Sequence, residues 1–243
     1  MGFTAGPCLT VSNATNVTIH DVDFDGCGGG IYLVDVTGNV QIYNVRARNT
    51  GNGNIGSGQG NVIQLSRTFD NDDLVDIWNV KAIGGDTEDM ISIYQSGGVD
   101  STHRLILEDV HLESPLPPDP NAWSSGSGTC VNLADSSGHD ILYRNSTALN
   151  CGQVGEQINK GTRVTITNTI VYGAQRSGSN VGLSRYGSCS TCSGNFITNN
   201  RVWWKNASGS FNNIYNGGSG DTTVSGNTTS DTTINPANLH VVL

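Results

Sequence analysis

Short runs of alternating apolar and polar residues recur along this chain: "CLTV", "IYLV", "VIQLS", "ISIY", "CVNLA", "QINK", "VGLS" and "NIY". A period of two puts every second side chain on one face of an extended strand. The members expected to face a core are Leu9, Ile31, Ile63, Ile91, Val131, Ile158, Val181 and Ile214, spaced 22 to 40 residues apart. A second strand-like run follows each one: "VTIHDVDF", "VQIYNVRA", "VDIWNVKA", "LILEDVHL", "DILYRNSTAL", "VTITNTIV", "FITNNRVW" and "TTVSGNTT". No stretch keeps a 3.6-residue apolar period and strong helix formers are scarce, so the pattern predicts an all-β protein.

Each second run carries Asn or Asp just past its apolar residue: Asp21, Asn44, Asn79, Asp109, Asn145, Asn168, Asn200 (or Asn199) and Asn227. Asn tolerates a left-handed turn, and its amide bonds nearby backbone groups. Stacked at one bend of successive turns of chain, such amides can bond one another and satisfy polar groups that would otherwise be buried unpaired. With these strand pairs and this column, the sequence resembles the right-handed parallel β-helix of the pectin-lyase-like superfamily, over nearly its whole length.

The resemblance implies one domain over 1–243, a solenoid of about eight coils with an Asn ladder. At ~4.8 Å per stacked strand it would be about 40 Å long. The Gly-rich "GNGNIGSGQGN" (51–61) and Pro-rich "SPLPPDPNAWSSGSG" (114–128) are expected to leave the coils as loops. A β-sandwich, the rival architecture, would show closer, more even strands and hairpin dipeptides such as Asn-Gly. Residues 1–7 are too short to cap the first coil, which predicts a missing cap or a self-association surface there. Trp203 and Trp204 are expected to split, one ring inward and one outward.

Six cysteines fall as Cys8/Cys27, Cys130/Cys151 and Cys189/Cys192. In a β-helix the first two pairs open and close one coil, a step of about 5 Å and within disulfide reach. Disulfides Cys8–Cys27 and Cys130–Cys151 are therefore expected. "CSTC" has no second CxxC or His pair to complete a zinc site, so a tight Cys189–Cys192 disulfide is expected. Three disulfides imply an oxidising, extracellular setting.

Charge narrows the partners. The formal net charge is −9, with only 12 Lys and Arg spread along the chain. Phosphate binding needs clustered cations, so a nucleic acid is not expected, nor an anionic membrane surface. No apolar run approaches the roughly 18 residues of a membrane-spanning helix.

β-Helix proteins of this class mostly act on, or hold, polysaccharides. The polygalacturonase signature, the epimerase Asp-Pro-His-Asp and the paired arginines of pectate lyases are absent. "EDMISIYQS" (88–96) is similar to the Glu-x-Ile-Ser-x-Lys-Ser of calcium-dependent alginate lyases, with Asp89 near the acid's place. Tyr94 and Gln95 stand where that family has its Lys, and Ala134–Asp135 where it has an Arg.

The carboxylates Asp86, Glu88 and Asp89 crowd four positions. They predict a Ca²⁺ site, with oxygens of Gly84, Gly85 and Thr87 adding ligands. The alternative is a solvated acidic turn, whose repulsion costs about a kcal/mol in water. "FDNDD" (69–73) is equally rich in oxygen ligands.

If Ile91 and Ile93 face inward, one outer face carries Gln64, Arg67, Ser92, Tyr94, Gln95, Asn132, Lys160, Arg185 and Tyr186. Two functions follow. The first is β-elimination, or less favoured hydrolysis, of a secreted, uronate-containing polysaccharide. Arg67, Lys160 and Arg185 would neutralise carboxylates and Tyr94 would act as base, with Gln64, Ser92, Gln95, Asn132 and Tyr186 binding sugar. The second is a non-catalytic solenoid that binds glycans or serves as an adhesin or fibre module.

Overall fold

The computed structural model describes residues 6–50, 60–84, 89–114, 128–187, 189–217 and 220–243. Among these residues the chain is all-β without an α-helix; its one helical element is a 3-10 turn at Pro236–Asn238. The named strands pair in parallel, and an isolated Lys205–Phe211 bridge is antiparallel.

The strands form three ladders, visited in turn on each pass of the chain. The first ladder stacks Pro7–Ser12, Gly29–Val34, Ile63–Ser66, Asp89–Gly98, Thr129–Arg144, Val154–Ile158, Val181–Arg185 and Ile214–Asn216. The second runs through the opening halves of Thr15–Asp25 and Thr37–Arg48 to Thr222–Ser225. The third ends on Arg201–Trp204 against Thr228–Thr229. Each strand thus pairs with the pass before and the pass after, an arrangement compatible with a β-solenoid.

Inward rows explain the apolar pattern. One reads Leu9, Ile31, Ile63, Ile91 and Val131, each the register partner of the next. Their side chains join one continuous core that reaches Trp204. Side chains stacked at strand spacing leave little room between them, which suits branched aliphatics. Trp204 is buried and Trp203 half-buried, as alternation requires. The Trp203 ring stacks on Tyr172 at 4.6 Å on the outside.

Above Val131 the register departs from expectation. Its partner is Glu156, followed by Leu183, so Ile158 and Val181 lie two residues to either side of the expected row. Ile158 stands instead in the neighbouring inward row, paired with Leu133 and Arg185. Two charged side chains thereby enter the interior, Glu156 and Arg185, both fully buried.

Bends between ladders fall on residues with left-handed backbone. Asp21, Asn44, Asn79, Asp109, Asn145, Asn168 and Asn199 all have φ between 49° and 58°. Asn199, not Asn200, takes the bend, and Gly226 (φ 68°), not Asn227, takes the next. Asn and Asp tolerate this conformation because a short polar side chain bonds locally. At the first three bends the side chains bond up the stack, Asn44 Nδ2 donating to Asp21 Oδ1 at 2.8 Å and Asn79 Nδ2 to Asn44 Oδ1 at 2.7 Å, whereas Asn145 Nδ2 donates to Glu108 Oε1 at 2.9 Å. Asn200 and Asn227 form a separate rung, the amide of Asn200 donating to Asn227 Oδ1 at 3.0 Å.

The three expected disulfides are present: Cys8–Cys27, Cys130–Cys151 and Cys189–Cys192, with Cα–Cα distances of 5.7, 5.4 and 5.4 Å. Such bonds are common in extracellular proteins. Among the described residues no helix is long and apolar enough to cross a membrane.

Candidate functional site

Alternation on the first ladder sets one row of side chains on the face opposite the apolar core; within it Ser92, Asn132, Gln157 and Ser184 are buried, Tyr32 and Gln64 half-buried, and Tyr215 exposed. Register partners in this row are Tyr32, Gln64, Ser92, Asn132, Gln157, Ser184 and Tyr215. Every member is a hydroxyl, an amide or a phenol. Neighbours are one strand apart, about 4.8 Å. The upper half of the row floors a groove of about 530 Å³, walled by Asp89, Asp135 and Asn159, with Tyr186 and Tyr215 among its lining residues. Its two tyrosines, Tyr186 and Tyr215, are exposed, at 59% and 49%.

Hydrogen bonds fix the floor. Asn132 Nδ2 donates to Asp89 Oδ2 at 3.0 Å, and Gln157 Nε2 donates to Asn132 Oδ1 at 3.2 Å. The Thr129 amide donates to Asp89 Oδ1 at 3.1 Å. Asp89 is therefore a buried anchor for the amide chain. Asp86 and Glu88, expected to share a Ca²⁺ with it, lie outside the described residues. Asp135 accepts from Asn159 Nδ2 at 3.0 Å. Burial pushes its carboxyl above the usual range, against the Asn159 hydrogen bond and the Lys160 charge.

The structure brings Asn132 and Tyr186 together in this groove, and Gln64 and Ser92 into its row. It places other expected residues elsewhere. Arg185 is not outward: as a member of an inward row it is fully buried, and its Nε donates to Asp221 Oδ2 at 3.2 Å. Its Nη1 donates to the carbonyls of Asn159, Tyr186 and Gly187. It is thus a structural tie beneath the groove rather than a charge facing substrate. Arg67 occupies a left-handed bend, where it forms a two-pronged pair with Asp35 at 2.6 and 2.8 Å. Tyr94 is half-buried and in register with Ser66 and Asp135, beyond the groove's lining residues. Gln95 bends away and lines a different, shallower hollow with Phe69, His139 and Arg163. Lys160 contributes its charge to Asp135 from the groove's margin.

No Arg, Lys or His is among the described residues that line the groove, whereas two carboxylates are. It is therefore electronegative and polar. Asp89 and Asp135 are five strand positions apart, because Asp135 sits beside Tyr94. Their backbone positions are thus about 16 Å apart along the sheet.

Gln157, Ser184 and Tyr215 were not anticipated. Alternation from Ile158 and Val181 would have found the first two. A second groove, of about 510 Å³, was also missed. It lies along the column of bends from Asp21 to Asn79 and carries Arg46 and Lys81, register partners. Next to that column on the second ladder, His20, Tyr43 and Trp78 stack, with ring centroids 5.0 and 4.2 Å apart. Its acids are already engaged: Asp21 pairs with His20, and Asp23 with Arg48.

Fold and groove together define a class: an all-β protein of stacked parallel strands that presents a neutral-polar row on one face. No family model matches the chain, and no curated protein or solved structure matches it.

Proposed function

We propose that this protein is a secreted, non-catalytic right-handed parallel β-helix of the pectin-lyase-like kind, which binds an extracellular polysaccharide along the first ladder. One observation carries the reading: the in-register row of amides and hydroxyls ending at exposed Tyr215, with Tyr186 beside it. Planar amides and hydroxyls match sugar hydroxyls, and phenol rings offer flat apolar faces to pyranose rings. Among the described residues the lining supplies carboxylates and no cation, which favours a neutral chain over a polyuronate. β-Elimination fits this groove less well, because Arg67 and Arg185 are engaged in ion pairs.

The test is affinity electrophoresis and calorimetry against neutral and uronate-containing polysaccharides. Neutral chains should bind. Tyr215→Ala and Tyr186→Ala should each weaken binding about five- to tenfold, the equivalent of ~1–1.4 kcal/mol for a lost ring contact. Turnover of a polyuronate, seen as growth of unsaturated ends in the ultraviolet, would reinstate the lyase reading.

A second reading, binding of an acidic chain, is favoured by Arg46 and Lys81. Neither has a carboxylate partner among the described residues, and both lie in a groove beside stacked rings. Arg46→Ala with Lys81→Ala would abolish that binding and leave binding to the first groove intact.

A further inference from the structure

At the bend between Phe69–Asp70 and Ile77–Ile83 three carboxylates converge. One oxygen from each of Asp70, Asp72 and Asp76 lies within 4.8 Å of the others. Asp70 and Asp76 are fully buried and Asp72 half-buried. No cationic side chain acts on Asp70 or Asp76 among the described residues. Buried carboxylates without a cation are costly and require a counter-charge or a proton.

Backbone amides already orient the three groups. Val40 N donates to Asp70 Oδ1 at 3.0 Å and Asp72 N to its Oδ2 at 2.9 Å. Leu74 N donates to Asp72 Oδ1 at 2.8 Å, and Ile106 N to Asp76 Oδ2. Each of these oxygens keeps a second lone pair. The remaining two, Asp72 Oδ2 and Asp76 Oδ1, are buried and have no hydrogen-bond donor among the described residues. Asp76 Oδ1 belongs to a side chain with no exposed surface, a second and separate sign that a partner is required there.

We propose that Asp70, Asp72 and Asp76 bind a hard divalent cation of the Ca²⁺ type, which clamps the loop that interrupts the second ladder between Asp70 and Ile77. An all-oxygen set on an irregular loop suits Ca²⁺, which accepts six to eight oxygens in flexible geometry, better than Mg²⁺, which demands a regular octahedron. The amide bonds hold the carboxylates in place as an outer shell would. The competing arrangement is one proton shared by Asp70 and Asp76. Burial first, and then the neighbouring acids, push Asp76 up to about 10.

The two are separated with the full chain, stripped by EDTA and desalted, by calorimetric titration with CaCl₂ and by thermal melts. One equivalent of Ca²⁺ should bind and raise Tm. Asp76→Asn keeps the shape and the acceptor for Ile106 N, and should weaken binding at least tenfold. Asp72→Ala, at a half-buried position, should do the same and carries the test if the first variant does not fold. Asp89→Asn should bind Ca²⁺ as the parent does. The proposal is overturned if the folded parent binds no Ca²⁺, or if binding survives in both Asp76→Asn and Asp72→Ala. It is equally overturned if Asp76→Asn melts higher than the parent in EDTA while the parent shows no calcium response, the mark of a shared proton. None of these outcomes bears on the glycan groove.

Discussion

Replacing Glu156 by Gln should change how stability depends on pH. Glu156 occupies the inward position between Val131 and Leu183, with no exposed surface. Thr169 Oγ1 donates to its Oε2 at 2.8 Å, while Oε1 finds no partner. Burial raises its carboxyl from 4.5 to about 8, against the hydrogen bond from Thr169. The folded chain therefore holds this proton up to about pH 8, whereas the unfolded chain releases it above 4.5. Stability from this group is fully present below 4.5 and falls as pH rises toward 8. The slope is about 1.4 kcal/mol per pH unit, or about 3 kcal/mol between pH 5 and pH 7. Gln cannot ionise, so the variant lacks this slope. Urea denaturation of both proteins at pH 5, 6, 7 and 8 gives the difference, in which other titrating groups cancel. The variant should gain about 3 kcal/mol on the parent between pH 5 and pH 7. A difference that stays constant with pH would refute the assignment of a protonated, buried Glu156.

Arg185→Ala should destabilise the fold by about 3–5 kcal/mol, because it leaves Asp221 buried without its partner; a chemical denaturation midpoint reports this. Replacing Cys130 and Cys151 together by Ala should cost about 3 kcal/mol, in line with a closed loop of about 20 residues, and should lower Tm in non-reducing buffer only. Gly173→Ala would place a Cβ 2.3 Å from the Trp204 ring, so a loss of about 1–3 kcal/mol and a shifted tryptophan emission are expected.

Much of the architecture was legible because it rests on local rules. Alternation placed Ile31, Ile63, Ile91 and Val131 in one row, and Asn and Asp marked the bends. The Cys8–Cys27 and Cys130–Cys151 disulfides followed from the rise of one strand per pass. The register above Val131 was less legible. Apolar identity favoured Ile158 for the row, but the hydrogen-bonded ladder puts Glu156 there, and a side chain's polarity did not decide its direction. The same bias sent Arg185 outward, although alternation from Val181 turns it inward. The missing information was the location of its partner, Asp221, 36 residues on. The acid cluster was only half visible: Asp70 and Asp72 stand in "FDNDD", but Asp76 joins them only after the chain turns.

The outward row on the first ladder behaves as a ruler. Its pitch is set by backbone hydrogen bonding between strands, so it does not vary with the side chains mounted on it. The chain between neighbouring marks is elastic: 28 residues separate Gln64 from Ser92, 40 separate Ser92 from Asn132, and 25 separate Asn132 from Gln157. Insertion between marks therefore leaves the scale unchanged, whereas substitution at a mark changes what is measured there. A chain carrying one more pass would lengthen the row by one unit, so its length and the identity of its side chains are separate quantities that selection can adjust independently.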